Sequence, residues 1–217
     1  MMQRIVCSAL FIISYCFTLG QVSPTKPELS NRVNILMGLN QPLLGGFNIE
    51  ANLFYQRLAF DYSHGISLNL SNNALVGAVA EQGLAVHIPY TTGFGIGYRF
   101  NEWFNVRVEP KWHGFELYYE GDKQTADNLI TSYNTFSLGL GAYANLRPFK
   151  RKDNFLKGIM LAPSIRWWPT LSSSLEEDQL TYTNQNTGTQ ATHDALEIGV
   201  ANTPWIINVS LGYSVAF

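Results

Sequence analysis

The chain has 217 residues, with 14 basic and 16 acidic side chains, and 46 % of it is hydrophobic. A net charge of −2, with no extended basic patch, gives no reason to expect nucleic acid as a partner. Both cysteines, Cys7 and Cys16, fall in the first 20 residues, so the rest of the chain can form neither disulfides nor thiolate metal sites.

Those first residues run Met1-Met2-Gln3-Arg4 and then apolar over 5–19, interrupted by Ser8, Ser14 and Thr18. A short basic start before a hydrophobic run of this length is the pattern of a cleaved secretory leader, and cleavage after Gly20 is expected. A membrane anchor is the competing reading, disfavoured because the run is short. A lipoprotein reading of Cys16 is weaker, since bulky Tyr15 precedes it. Losing Arg4 with the leader leaves 13 basic against 16 acidic residues, a net charge of −3. Beyond the leader no apolar run approaches the roughly 18–20 residues of a spanning helix. A membrane location would have to use strands.

Residues 21–31 are polar with two prolines and read as a short linker. Alternation begins at 32. Successive side chains of a strand point to opposite faces, so alternating polarity marks a ribbon with one greasy face. In the first strand Val33, Ile35, Met37 and Leu39 oppose Arg32, Asn34, Gly38 and Asn40. In the second, Phe47, Ile49, Ala51, Leu53 and Tyr55 oppose Asn48, Glu50, Asn52 and Gln56. A tight turn at Gln56-Arg57 leads to the third, where Leu58, Phe60, Tyr62, Ile66, Leu68 and Leu70 are expected outside and Arg57, Ala59, Asp61, Ser63 and Ser67 inside. After a loop at 71–83, the fourth strand carries Leu84, Val86, Ile88, Tyr90, Phe94, Ile96, Tyr98 and Phe100 against Gly93, Gly95, Gly97 and Arg99.

Asn101-Glu102 is a second tight turn. The fifth strand then places Phe104, Val106, Val108, Pro110 and Trp112 opposite Asn105, Arg107, Glu109, Lys111 and His113, and its phase slips near Gly114. That slip reads as a bulge or as the point where the strand leaves a membrane. In the sixth, Phe136, Leu138, Leu140, Ala142, Ala144 and Leu146 oppose Ser137, Gly139, Gly141, Tyr143, Asn145 and Arg147. In the seventh, after a basic turn at 148–156, Ile159, Leu161, Pro163, Ile165 and Trp167 oppose Gly158, Met160, Ala162, Ser164 and Arg166. A polar loop over 170–195 precedes the eighth. There Trp205, Ile207, Val209, Leu211, Tyr213, Val215 and Phe217 alternate with Asn208, Ser210, Gly212 and Ser214.

Eight strands with connections alternately short and long predict an all-β fold: an eight-stranded antiparallel up-and-down transmembrane β-barrel over 32–217. Phe104 to Trp112 and Ile159 to Trp167 are nine residues each, within the roughly 9–11 of a tilted membrane strand. Unpaired backbone is not tolerated in lipid, so such a sheet must close on itself. A soluble lipocalin-like barrel would put the glycine-rich face outside, where few charges would meet water. Tyr98, Phe100, Phe104, Trp112, Trp167, Trp205, Tyr213 and Phe217 are the expected interfacial girdle.

With its leader, its alternation and Phe217, the chain resembles small bacterial outer-membrane barrels of the OmpX and OmpA-transmembrane-domain type, and the PorT-like barrel group. The resemblance implies the cell outer membrane as location, with outer-membrane lipid and lipopolysaccharide as surroundings. It also implies recognition of Phe217 by the barrel-insertion machinery, and surface protein partners at the outer loops.

A barrel of eight strands has room for little but its own side chains. The expected lumen network is Arg32, Glu50, Arg57, Asp61, Arg99, Arg107, Glu109, Lys111, His113, Arg147 and Arg166, a salt-bridged plug with Glu50, Asp61 and Glu109 as hubs. The alternative is a narrow conduit for anionic or hydrophobic solutes, lined by unpaired arginines, as in OmpW-like barrels. No cofactor, metal or catalytic residue is expected. Asp61, Ser63, His64 and Ser67 include the residue types of a hydrolase, but alternation puts His64 on the opposite face from the others. His113 and Glu116 make a poor metal pair, and His193-Asp194 and Glu176-Glu177-Asp178 read as solvated loop groups.

Overall fold

The computed structural model describes residues 29–70 and 83–217. The expected leader, most of the linker and nearly all of the loop at 71–83 lie outside the described residues. Among the described residues, eleven strands and one short α-helix follow in order: β1 Arg32–Gly38, α1 Asn40–Leu43, β2 Phe47–Tyr55, β3 Leu58–Leu70, β4 Leu84–Arg99, β5 Phe104–Tyr119, β6 Thr131–Ala144, β7 Ile159–Trp167, β8 Thr170–Ser173, β9 Gln179–Thr183, β10 Gln190–Asp194 and β11 Trp205–Ala216. Strands β1 to β6 each pair antiparallel with the next, and β11 lies between β7 and β1. The seam runs from Arg32↔Ala216 to Gly38↔Ser210. This is a closed eight-stranded antiparallel barrel, and closure leaves no sheet edge around its waist.

The short connections gather at one end, called here the turn end, and the long ones at the loop end. The wall is uneven. Strands β3 to β6 run 13, 16, 16 and 14 residues, whereas β1 and β7 have only 7 and 9. The tall side therefore projects beyond the short side at the loop end.

Over the lower two thirds of the wall the alternation reads as expected. Ile35, Leu53, Phe60, Ile96, Val108, Leu140, Ile165 and Val209 face outward and are between 37 % and 52 % exposed. Asn34, Asn52, Asp61, Arg107, Gly141, Ser164 and Ser210 face in. Two aromatic bands bound this apolar belt. Tyr98, Phe100, Trp103 and Phe104 stack in series at the turn end, with ring centroids 5.1 to 5.8 Å apart. Toward the loop end Trp112 lies between Phe94 and Phe136, and Trp205 is opposite Trp167.

Above the second band the faces exchange roles. Leu68, Leu70, Leu84, Val86 and Ile88, expected outside, point inward and are at most 7 % exposed. Two backbone irregularities cause the reversal. Ser67 has φ of 57° in β3, and the β4–β5 register shifts between His87 and Thr91. Each puts the residues on its loop-end side on the other face, those after Ser67 in β3 and those before the shift in β4. In β5 no bulge occurs at Gly114, since the β5–β6 pairing is continuous from Phe104 to Leu117. The pattern changes there because Phe115 and Leu117 fill the interior instead of the belt.

That upper interior is an apolar core. Leu68, Leu70, Leu84, Val86, Ile88, Phe115, Leu117 and Tyr133 from the tall wall meet Leu180, Tyr182 and Leu196 from the last loop. The polar loop expected over 170–195 contains the β9–β10 hairpin, whose Leu180 and Tyr182 pack into this core. β8 prolongs the line of β7 along β6 after a break at Trp168-Pro169.

Candidate functional site

The lumen below the apolar core holds the largest group of buried charges among the described residues. Alternation on β2, β3, β5 and β7 aims Glu50, Asp61, Arg107, Glu109, Lys111 and Arg166 at the axis, and all are at most 6 % exposed. Inward glycines supply the space. A Cβ at Gly95 would strike Asp61, at Gly97 Arg107, at Gly139 Trp168, and at Gly141 Glu109 and Tyr143. The glycine face is thus a set of slots for large side chains.

Three acids meet three bases. Arg107 reaches Glu50 Oε1 at 2.8 Å and Asp61 Oδ1 at 3.4 Å, and donates from Nε to Asn105 Oδ1 at 2.8 Å. Arg166 bridges to Glu50 Oε2 at 3.4 Å. Lys111 Nζ lies 3.6 Å from Asp61 Oδ2 and 3.7 Å from Glu109 Oε1, and donates to Ser63 Oγ at 2.6 Å. Glu109 also accepts from the Tyr143 hydroxyl at 2.6 Å and the Trp168 indole at 3.1 Å. Both guanidiniums lie over the Tyr143 ring, Arg107 at 3.8 Å and Arg166 at 4.9 Å from its centroid. Buried charges are tolerated when paired and hydrogen-bonded; all six are paired, and Asp61 is held by its ion pairs to Arg107 and Lys111, its Oδ1 accepting no hydrogen bond among the described residues.

Glu50 thus contacts Arg107 and Arg166, Asp61 contacts Arg107 and Lys111, and Glu109 contacts Lys111. The expected surplus of bases does not line the axis; it sits at the turn end, where Arg99 and Arg147 converge on Glu102 at 3.8 and 2.9 Å. Arg32 lies beside them, donating to Ser214 Oγ at 2.7 Å and to Ser30 Oγ at 3.4 Å. Ser30 donates its backbone N–H to Glu102 at 2.6 Å, so the end of the linker is tied to the barrel. Burial would raise the Glu102 carboxyl, but the Ser30 hydrogen bonds, Arg99 and Arg147 outweigh it and hold it below the usual carboxylate range. Arg57 departs from expectation. It is half-exposed in the β2–β3 turn, its guanidinium over the outward ring of Tyr98 at 5.9 Å, because strand parity does not extend through a two-residue turn. Glu102, Tyr143 and Trp168 belong to the network although the sequence does not point to them. Tyr143 stands on the inward face of the sixth strand but carries no charge, Trp168 lies just past the expected seventh strand, and Glu102 reads as a turn.

His113 is fully buried at the top of the charge layer, its Nδ1 2.7 Å from Thr91 Oγ1 and its ring 6.0 Å from that of Trp168. It faces in and Glu116 faces out, so the two do not meet. Glu116 instead lies 2.8 Å from Nδ1 of His87, and Nε2 of His87 is 3.3 Å from Ser67 Oγ. His64, the other histidine weighed for chemistry with Ser67, has its Nδ1 buried without a hydrogen-bond partner among the described residues. In the last loop Asp178 accepts from Ser173 Oγ and N, each at 2.7 Å, and His193 Nδ1 rests 2.7 Å from the Asp194 carbonyl. Among the described residues no group of three His, Cys, Asp or Glu is placed to hold a metal ion.

A cavity of about 120 Å³ opens between the upper lumen and the short side of the wall. Arg166, Trp168, Asn48, Asn208 and Leu44 line it. It ends on the charge layer.

No protein-family model matches the sequence, and no curated protein does. Solved structures similar to it include the following three. The N-terminal β-barrel domain of Pseudomonas aeruginosa OprF has 10 % identity, covering 87 % of this chain and 100 % of that one, with a TM-score of 0.42. Ail, the attachment invasion locus protein of Yersinia pestis, solved with the heparin analogue sucrose octasulfate, has 12 % identity over 86 % of this chain and 100 % of that one, with a TM-score of 0.42. A major outer membrane protein from Thermus thermophilus has 13 % identity over 87 % and 98 %, also at 0.42.

Proposed function

We propose that the chain is a bacterial outer-membrane barrel with a sealed lumen, a structural and interaction protein that presents its loop end to the cell exterior. The observation that carries this is the inverted polarity of the wall. A continuous belt of exposed aliphatic side chains, bounded by two aromatic bands, surrounds an interior of three carboxylates and three cations. In water that arrangement is inside out; in a bilayer each face meets its proper solvent. The bands then lie at the two interfaces, the short turns in the periplasm, and the apolar cap outside. A leader at 1–20 would deliver the chain, and Phe217, 68 % exposed, would contact the insertion machinery.

Sealing is favoured over conduction because the central cations are matched by acids in number and in contact. The cap of β9 and β10 adds a second, apolar closure. Lipids brominated at different depths along the acyl chain test the placement. Trp205 and Trp103 should be quenched most by shallow bromines, from opposite leaflets. Quenching that is equal at all depths, or none, would contradict a spanning barrel.

A further inference from the structure

Ser67, His87 and Glu116 stand on three adjacent strands of the tall wall, β3, β4 and β5. Ser67 Oγ lies 3.3 Å from His87 Nε2, and His87 Nδ1 lies 2.8 Å from Glu116 Oε2. Each ring nitrogen of the histidine thus has one partner, a hydroxyl on one side and a carboxylate on the other. With the Nδ1 proton directed to Glu116, Nε2 is left as an acceptor for the Ser67 hydroxyl proton. The Tyr118 hydroxyl donates to the same Glu116 oxygen at 3.1 Å, fixing the carboxylate from behind. Nucleophile, base and orienting acid joined in that order define a serine hydrolase by geometry, whatever the fold.

The site is open on the outward side. The side chains of His87 and Glu116 are 16 % and 29 % exposed. Ser67 holds φ of 57°, a conformation unfavourable for a residue with a Cβ, and this turn of the backbone ends the outward apolar row at Ile66. Asn69 is the Cα partner of His87 in the β3–β4 register, so the two share a row across the sheet. Toward the turn end the same wall offers an apolar track. Ile66 is opposite Tyr90 and Tyr62 opposite Phe94, with Ile66, Tyr62 and Phe94 45 %, 52 % and 54 % exposed.

We infer that Ser67, His87 and Glu116 form an esterase site on the outside of the barrel, cleaving carboxylic esters whose acyl chain lies along Ile66, Tyr90, Tyr62 and Phe94. This goes beyond the sealed-barrel reading and needs only that the wall be folded. In the first step Ser67 Oγ bonds to the ester carbonyl carbon as His87 Nε2 takes its proton. Collapse breaks the carbon–oxygen bond of the alcohol, which leaves with the proton from Nε2. Water, deprotonated by His87, then attacks the acyl-serine. A carboxylic acid is released and Ser67 is restored, with no other reactant.

The test uses the full chain in detergent micelles, with p-nitrophenyl palmitate and p-nitrophenyl butyrate as substrates and a fluorophosphonate as covalent probe. Expected are a single adduct on Ser67 and faster turnover of the palmitate ester. Glycine accepts positive φ without strain, so Ser67→Gly removes the hydroxyl while leaving the backbone relaxed. It should abolish the adduct and lower turnover by about 1,000-fold or more, as should His87→Gln; Glu116→Gln should lower it by about 100- to 10,000-fold. Far-UV circular dichroism of each variant should match the unsubstituted protein. Equal turnover with and without the Ser67 hydroxyl, or no adduct at Ser67, overturns the site. Preference for butyrate over palmitate overturns the acyl track.

Discussion

Replacing Arg107 with Ala is expected to cost about 3–5 kcal/mol of barrel stability, because it takes one cation from each of two buried carboxylates. Arg107 is fully buried and touches both Glu50 and Asp61, the two acids it separates. Removing it leaves Asp61 only Lys111 and Glu50 only Arg166 among the described cations. The Tyr143 ring loses the cation 3.8 Å above its face, and Asn105 Oδ1 loses its donor. Pairing the change with Glu50→Gln should return part of the loss, since a neutral amide no longer needs the guanidinium. Denaturant unfolding in lipid vesicles, followed by tryptophan fluorescence, measures both. A cost under about 1 kcal/mol for the single variant would mean that the network contributes little to stability.

The second large effect concerns the outer face. Val209 lies mid-strand in β11, opposite Pro163, the central residue of β7, and is 38 % exposed. In a bilayer Val209→Arg puts a charge at the hydrocarbon midplane and should destabilise by about 2–4 kcal/mol. An arginine replacing Val33, near the turn end of the same seam, should cost at most about 1 kcal/mol. A barrel standing in water would show the reverse tendency, since an outward arginine there is ordinary. Equal, small effects at both positions would therefore count against the membrane belt.

The barrel is legible in the sequence because its lower wall keeps one phase over long strands. Ile159 to Trp167 and Trp205 to Tyr213 alternate without a break, and they pair in register as their patterns imply. The upper wall departs from its pattern for a physical reason. Alternation marks which residues share a face, not which face meets oil. Between the aromatic bands the apolar row is outside; above them the interior is itself apolar, and Leu84, Val86 and Ile88 belong there. The switch depends on a positive φ at Ser67 and on a bulge between His87 and Thr91, neither of which the residue types announce. Once the phase of β4 reverses, His87 moves from the expected interior to the outside, beside Ser67 and Glu116. Residues 20 and 29 apart in sequence have no spacing signature to reveal that meeting. The charge hubs are legible, because carboxylates on an inward face must collect the cations. The place of the surplus bases is not, because Glu102 reads as a turn residue and only folding brings Arg99 and Arg147 to it.

The most direct test of the sealed membrane barrel is single-molecule conductance across a planar bilayer, on protein whose insertion has been verified by heat-modifiable migration. The proposal predicts a silent bilayer over a wide voltage range, since Arg107, Arg166 and Lys111 pair with three acids across the lumen, below an apolar core. Sustained discrete openings, anion-selective and altered by Arg166→Ala, would contradict it and make the lumen a pathway.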